Sequence, residues 1–129
     1  MHHLELYVAD LGKTAQFYHC LLVQLLGFEL DAHWERGLSF HQGETYIVFV
    51  EVAPEKKEIS YNRTHIGLNH LAFWAESQVL VDRLHDAMTS QNPAALLYDH
   101  LYPFAGGVNH YALYLEDPDH VKIEVIARR

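Results

Sequence analysis

Residues 69–75, NHLAFWA, restate residues 2–8, HHLELYV. Each stretch sets a polar residue, then His, then Leu at the start of a short alternating strand. A helix-start residue follows each, Asp10 in the first and Ser77 in the second. One offset of 67 residues relates His3 to His70 and Asp10 to Ser77 alike. An offset shared by strand and cap marks an internal duplication, and that decides the fold before any single element is placed. It also duplicates chemistry, because two modules that each open on a His can bring both imidazoles to one metal.

In the first module the strand over residues 4–8 puts His3, Glu5 and Tyr7 on one face and Leu4, Leu6 and Val8 on the other. Leu11, Ala15, Tyr18, Leu22 and Leu25 then recur at helical spacing until Gly27 ends the helix. Strand patterns follow over residues 28–34, 38–41 and 45–52, separated by turns at Arg36-Gly37 and Gln42-Gly43. The order is β-α-β-β-β, in residues 1–54, and residues 55–66 read as a linker with a mixed charge run. The second module, residues 67–129, repeats it. A strand over 70–75 leads to a helix from Ser77 to about Thr89 with Leu80, Leu84 and Met88 on one face. A short strand is expected near residues 97–101. Residues 108–116 and 121–127 pair as a hairpin across Asp117-Pro118-Asp119-His120.

With 129 residues, half of them hydrophobic, the chain is read as one domain with a real core. No stretch reaches the roughly 18–20 apolar residues of a membrane-spanning helix. Nothing at the N-terminus reads as an export signal, and a single cysteine, Cys20, suits a reducing compartment, so a cytoplasmic location is expected. The formal net charge is −8 and the nine basic residues are scattered, which excludes a phosphate-neutralising nucleic-acid surface. A small molecule is the expected partner. Eleven histidines hint at metal chemistry.

Strand periodicity narrows the candidates. Over residues 121–127, Val121, Ile123 and Val125 form an apolar face and leave Lys122, Glu124 and Ile126 opposite. Over 45–52, Thr45, Ile47, Phe49 and Glu51 share a face, so Glu51 ends an otherwise apolar row. A carboxylate in that place is costly to bury unless it is paired or metal-bound. His3 with Glu51 and His70 with Glu124 then give one His and one Glu per module. Two imidazoles and two carboxylates suit a divalent Zn, Ni, Co, Fe or Mn ion. The four converge if the modules pack with their first and last strands adjoining. The plainer alternatives are a strand-end His and solvent-facing glutamates.

This pattern resembles the vicinal oxygen chelate superfamily, which includes glyoxalase I, fosfomycin-resistance enzymes, extradiol dioxygenases and bleomycin-resistance proteins. The resemblance spans nearly the whole chain and is carried by HHLELYVADL, GLNHLAF and the terminal LEDPDHVKIEVIA. It implies an α+β fold of two βαβββ modules forming a half-open mixed β-barrel around a divalent metal, in a homodimer. By likeness to glyoxalase I the ligands fall on His3, Glu51, His70 and Glu124. It implies a metal-dependent lyase or isomerase that chelates two oxygens of a small substrate and stabilises an enediolate-like intermediate. Glu124 or Glu51 would shuttle the proton, with Glu5 in reserve, and Tyr114, His41 and Tyr7 would line the substrate pocket.

The alternatives are a drug-binding protein like those of bleomycin resistance, a dioxygenase, or a fosfomycin-resistance type. Two departures count against the last. Glu5 stands where a small hydroxyl would be expected, and a carboxylate there repels a phosphonate. The chain also runs only five residues past Glu124, and those are read as holding no basic group for an anion.

Overall fold

The structure is a computed structural model that describes residues 1–129. It divides into two compact units, Met1–Ser60 and Tyr61–Arg129. Each unit is one strand, a helix and three more strands, and each builds its own four-stranded mixed sheet. The α+β class and the duplicated βαβββ order are as the sequence pattern requires. No helix is long and apolar enough to cross a membrane.

In the first unit, strand β1 (His3–Val8) leads to helix α1 (Leu11–Tyr18), then β2 (Glu29–Trp34), β3 (Gly37–Gln42) and β4 (Thr45–Glu51). The sheet order is β1-β4-β3-β2, with β1 and β4 parallel and the rest antiparallel. Asp10 caps α1 by accepting from the Lys13 backbone N–H at 3.0 Å, an interaction worth about 1 kcal/mol. Beyond Tyr18 the coil widens into a π-helix over His19–Leu25. Its Leu26 N–H reaches back to the Leu21 carbonyl, 3.1 Å. The wider turn changes the buried face. Neighbouring Leu21 and Leu22 both enter the core beside Tyr18, whereas Ala15 and Leu25 stay half-exposed. Leu38, Phe40, Ile47 and Phe49 are buried on one face of the sheet, and the Phe49 ring lies 4.3 Å from that of Tyr18.

In the second unit, β5 (His70–Ala75) leads to α2 (Gln78–Gln91), capped by Ser77, whose Oγ accepts from the Leu80 N–H at 3.2 Å. Strands β6 (Leu96–Leu97), β7 (Ala112–Glu116) and β8 (Lys122–Ala127) complete a sheet of order β5-β8-β7-β6. Val81, Leu84 and Met88 are the buried face of α2, with Val81 where Leu80 was expected. They pack with Leu113, Leu115, Ile123 and Val125 as the core. The hairpin joining β7 to β8 forms across the expected turn, but β7 begins at Ala112 rather than at residue 108 as expected. Asp117 Oδ1 accepts from the N–H groups of Asp119 (2.8 Å) and Val121 (2.9 Å), which ties its turn.

The edge strands differ between the units. Strand β2 has six residues, but β6 has two and stops at Tyr98, which adopts a left-handed backbone (φ 55°). The expected strand near 97–101 is therefore a strand of two residues followed by a 3-10 turn, Asp99–Leu101. Its ring recovers part of the conformational cost by packing edge-on against Tyr114, with centroids 5.5 Å apart. The chain then runs outside the sheet to Ala112. Its Pro103 carbonyl accepts from the Ala112 N–H at 3.0 Å, where a longer β6 would have paired.

Candidate functional site

Strand register decides which candidates meet. In the second sheet Ala72 pairs with Glu124 across β5 and β8, and Tyr114 pairs with Glu124 across β7 and β8. His70, Ala72 and Trp74 therefore share a face with Lys122, Glu124 and Ile126, away from α2. His70 is the diagonal neighbour of Glu124, and its Nε2 lies 3.0 Å from Glu124 Oε2. Tyr114 Oη donates to Glu124 Oε1 at 2.8 Å. A second imidazole, His110, also places its Nε2 on Oε1. Glu124 is only 5% exposed, so its carboxylate is buried with both oxygens taken.

Burial pushes the Glu124 carboxyl up, but the hydrogen bonds from His110 and Tyr114 and the His110 and His70 charges outweigh it and hold it below its ordinary range. The Tyr114 hydroxyl is pushed well above its ordinary value, first by burial and then by donating to Glu124. The result is an ionised carboxylate beside a phenol held neutral. Asn69 Oδ1 sits 2.7 Å from His70 Nδ1 and orients that ring. Lys122 stays off Glu124; its ammonium lies 5.6 Å from the Tyr98 ring and 5.8 Å from that of Tyr114.

The first unit assembles differently. His3 pairs in register with Tyr46 and stacks on its ring at 4.8 Å, with His2 edge-on to both. The Nδ1 atoms of His2 and His3 are 2.8 Å apart. Glu51 pairs with Val8, five positions further along β1, and lies on the helix side of the sheet. There Glu51 Oε2 accepts from the Leu11 N–H at 3.0 Å and Oε1 pairs with Lys57 Nζ at 2.8 Å. The Lys57 and Leu11 hydrogen bonds hold its carboxyl below the ordinary range. His3 and Glu51 are thus on opposite faces and opposite ends of the β1–β4 pair. The expected His and Glu pairing of this unit is not assembled.

Register also names what stands in place of the missing carboxylate. Glu124 lies opposite Ala72, two residues after His70; the corresponding position in the first unit is Val48, opposite Glu5, two residues after His3. Glu5 and Tyr7 are exposed on that face, Tyr7 by 73%. His41 is opposite Tyr46 and lies 3.6 Å from Glu29 Oε2.

No three or more His, Cys, Asp and Glu side chains form a preformed metal cage. The donors nevertheless differ in fitness between the units. His70 Nε2, His110 Nε2 and the Glu124 carboxylate converge and have the chemistry a borderline divalent ion takes, whereas His3 and Glu51 do not converge. His110 is the residue the sequence reading missed. Its parity with Ala112, Tyr114 and Glu116 was the available signal, because alternation carried back from β7 places it on the Glu124 face.

A cavity of about 760 Å³ continues the same face beyond His110, and Trp74, Phe104, Val108, Ile126, Arg128 and Arg129 line it. Contrary to expectation, the C-terminal end carries basic residues on this face: Arg128 follows Glu124 and Ile126 in the alternation of β8.

The relatives agree with this architecture. The chain is 41% identical over 127 residues to YqjT of Bacillus subtilis (strain 168), covering 98% of each. It is 39% identical to a candidate glyoxalase from Bacillus halodurans whose crystal structure superposes with a TM-score of 0.93, over 99% of this chain and 95% of that one. A lactoylglutathione lyase from Agrobacterium tumefaciens shares the fold at 18% identity and a TM-score of 0.63, over 98% of this chain and 92% of that one. The Glyoxalase/Bleomycin resistance protein/Dioxygenase superfamily matches residues 1–125, and the chain belongs to that superfamily.

Proposed function

We propose that this protein is a metal-dependent enzyme of lyase or isomerase type, acting on a small substrate that offers two neighbouring oxygens. The observation that carries this reading is the buried Glu124 carboxylate clasped by two imidazoles and a phenol. A structural carboxylate at that depth costs free energy that an apolar side chain would not. His70, Glu124 and His110 would hold the ion, which when bound supplies Lewis acidity toward substrate oxygens.

The proton chemistry belongs to the chain. Glu124 is ionised and can accept a substrate proton at an oxygen that His110 or Tyr114 vacates. Once those hydrogen bonds are given up, burial is opposed less and the carboxyl becomes a stronger base. Tyr114 Oη, kept protonated, donates to the oxygen on which charge develops. Glu51 and Glu5 have no place in this scheme. Glu51 serves the N-terminus of α1 and Glu5 is exposed.

Metal uptake tests the reading. Tag-free protein loaded in turn with Ni, Zn, Mn and Fe should hold close to one equivalent. Uptake should fall sharply in each of His70→Ala, Glu124→Gln and His110→Ala. Turnover is then sought among hemithioacetals, catechols and 2-oxo acids. A wild-type protein that takes up no metal, or variants that bind it equally well, would overturn the proposal. Ligand binding with neither metal nor turnover would replace it with a drug-sequestering role.

A further inference from the structure

The cavity beyond His110 is charged against the grain of the chain. The protein carries 17 acidic and 9 basic residues, yet two arginines and no aspartate or glutamate line this space. Beside the polar Gln78, Asn109, His110 and Tyr111, its walls carry apolar side chains open to solvent: Trp74 is 57% exposed, Phe104 49% and Val108 84%. Isolated exposed apolar side chains are ordinary, but three around one cavity make a surface for a ligand.

Arg128 is placed by the backbone. Its N–H donates to the Ala75 carbonyl at 2.8 Å, which extends β8 by one residue, and the guanidinium lies 5.2 Å from the Trp74 ring centroid. Its single carboxylate neighbour, Glu76, is 3.7 Å away and largely exposed, so that pairing is weak and displaceable. Gln78, first residue of α2, also lines the wall and sets the positive end of that helix beside it. Along β8 the face reads Glu124, Ile126, Arg128, so about 13 Å of strand separates the proton-transfer group from the guanidinium.

We infer that this cavity selects an organic carboxylate with a flat apolar body, the carboxylate held by Arg128 and the body lying along Trp74 and Ile126. The far end of such a molecule points at His110 and Glu124. That orientation rests on the function proposed above, whereas the anion selectivity does not. Arg matches a carboxylate with two parallel N–H donors, and the position of the guanidinium over the Trp74 ring sets it beside the apolar wall along which the body lies.

Calorimetric titration with 4-phenylbutanoate and its uncharged amide tests this. The wild-type protein should bind the acid roughly ten-fold or more tightly than the amide, the margin of a charge-assisted hydrogen bond, and the margin should shrink with added salt. In Arg128→Gln the ratio should fall toward one. Because Arg128 is half-exposed, this variant keeps the core intact, and a matching thermal melt verifies that. Removing the competing carboxylate in Glu76→Gln should tighten acid binding. In Glu124→Gln the acid preference should persist even where metal uptake and turnover are lost, which separates failure of this inference from failure of the proposed function. Equal binding of acid and amide, binding of neither, or a preference that survives in Arg128→Gln would each overturn it.

Discussion

Gly106 lies so close beneath two residues of the site that a β-carbon there would fall 2.4 Å from His110 Cδ2 and 2.8 Å from Tyr114 Oη. Only a residue without a side chain lets both rings reach Glu124. Gly106→Ala should therefore displace His110, lower stability by about 1–3 kcal/mol as overpacking does, and weaken metal affinity beyond what the stability loss explains. Thermal unfolding and metal titration of the same preparation check this, and unchanged metal affinity would show that His110 is not held by this contact. At this scale much was legible. His70 and Glu124 stood out because one repeats His3 and the other breaks an apolar alternation. Their contact follows from parallel pairing of the first and last strands. Glu51 misled because alternation gives the parity of a side chain but not the side on which the helix packs. His110 was hidden because the seven residues from Ala105 to Tyr111 read as turn and strand start rather than as an arm reaching back over the sheet.

Among the elements, α1 shows what Glu51 does. The first N–H groups of a helix have no partner within it, and Glu51 supplies one to Leu11 from the neighbouring strand. Its negative charge also faces the positive end of the helix dipole. Glu51→Gln should lower the melting temperature modestly while leaving metal uptake at the wild-type level. A clear loss of metal in that variant would restore Glu51 as a ligand. Both helix starts were readable from Asp10 and Ser77, since a cap is a local hydrogen bond between neighbours in sequence. The π-helical stretch was not, because its phase is set by which leucines the sheet can accommodate, and that depends on distant residues.

At the level of the whole molecule, stability should be bounded at both ends of the pH scale by one cluster. Asp82 accepts from the hydroxyls of Tyr102 and Tyr111, the latter at 2.6 Å, and those bonds hold its carboxyl below the ordinary value of 3.8. A lowered folded-state value stabilises the protein above pH 3.8 and is lost as pH falls through it. Burial first, then bonding to Asp82, pushes the Tyr102 hydroxyl far above its ordinary 10.0. That contribution is complete below pH 10 and is lost as pH rises beyond it. Melting temperatures over a pH series should thus fall at each extreme, less steeply on the acid side in Asp82→Asn and on the alkaline side in Tyr102→Phe. Wild type and Asp82→Asn declining in parallel in acid would remove Asp82 from the account. The duplicated architecture itself was legible from a single repeated offset, since a repeat in sequence requires no knowledge of packing.

The brevity of β6 has a dynamic consequence. Because Pro103 rather than a strand residue holds the Ala112 amide, the segment that seals this sheet edge is the same one that carries His110 to Glu124. Lifting it is one opening event with two outcomes: the edge amide meets water and the carboxylate loses an imidazole. Hydrogen exchange at Ala112 should therefore clock the availability of Glu124, slowing when a ligand pins the segment and quickening in Gly106→Ala.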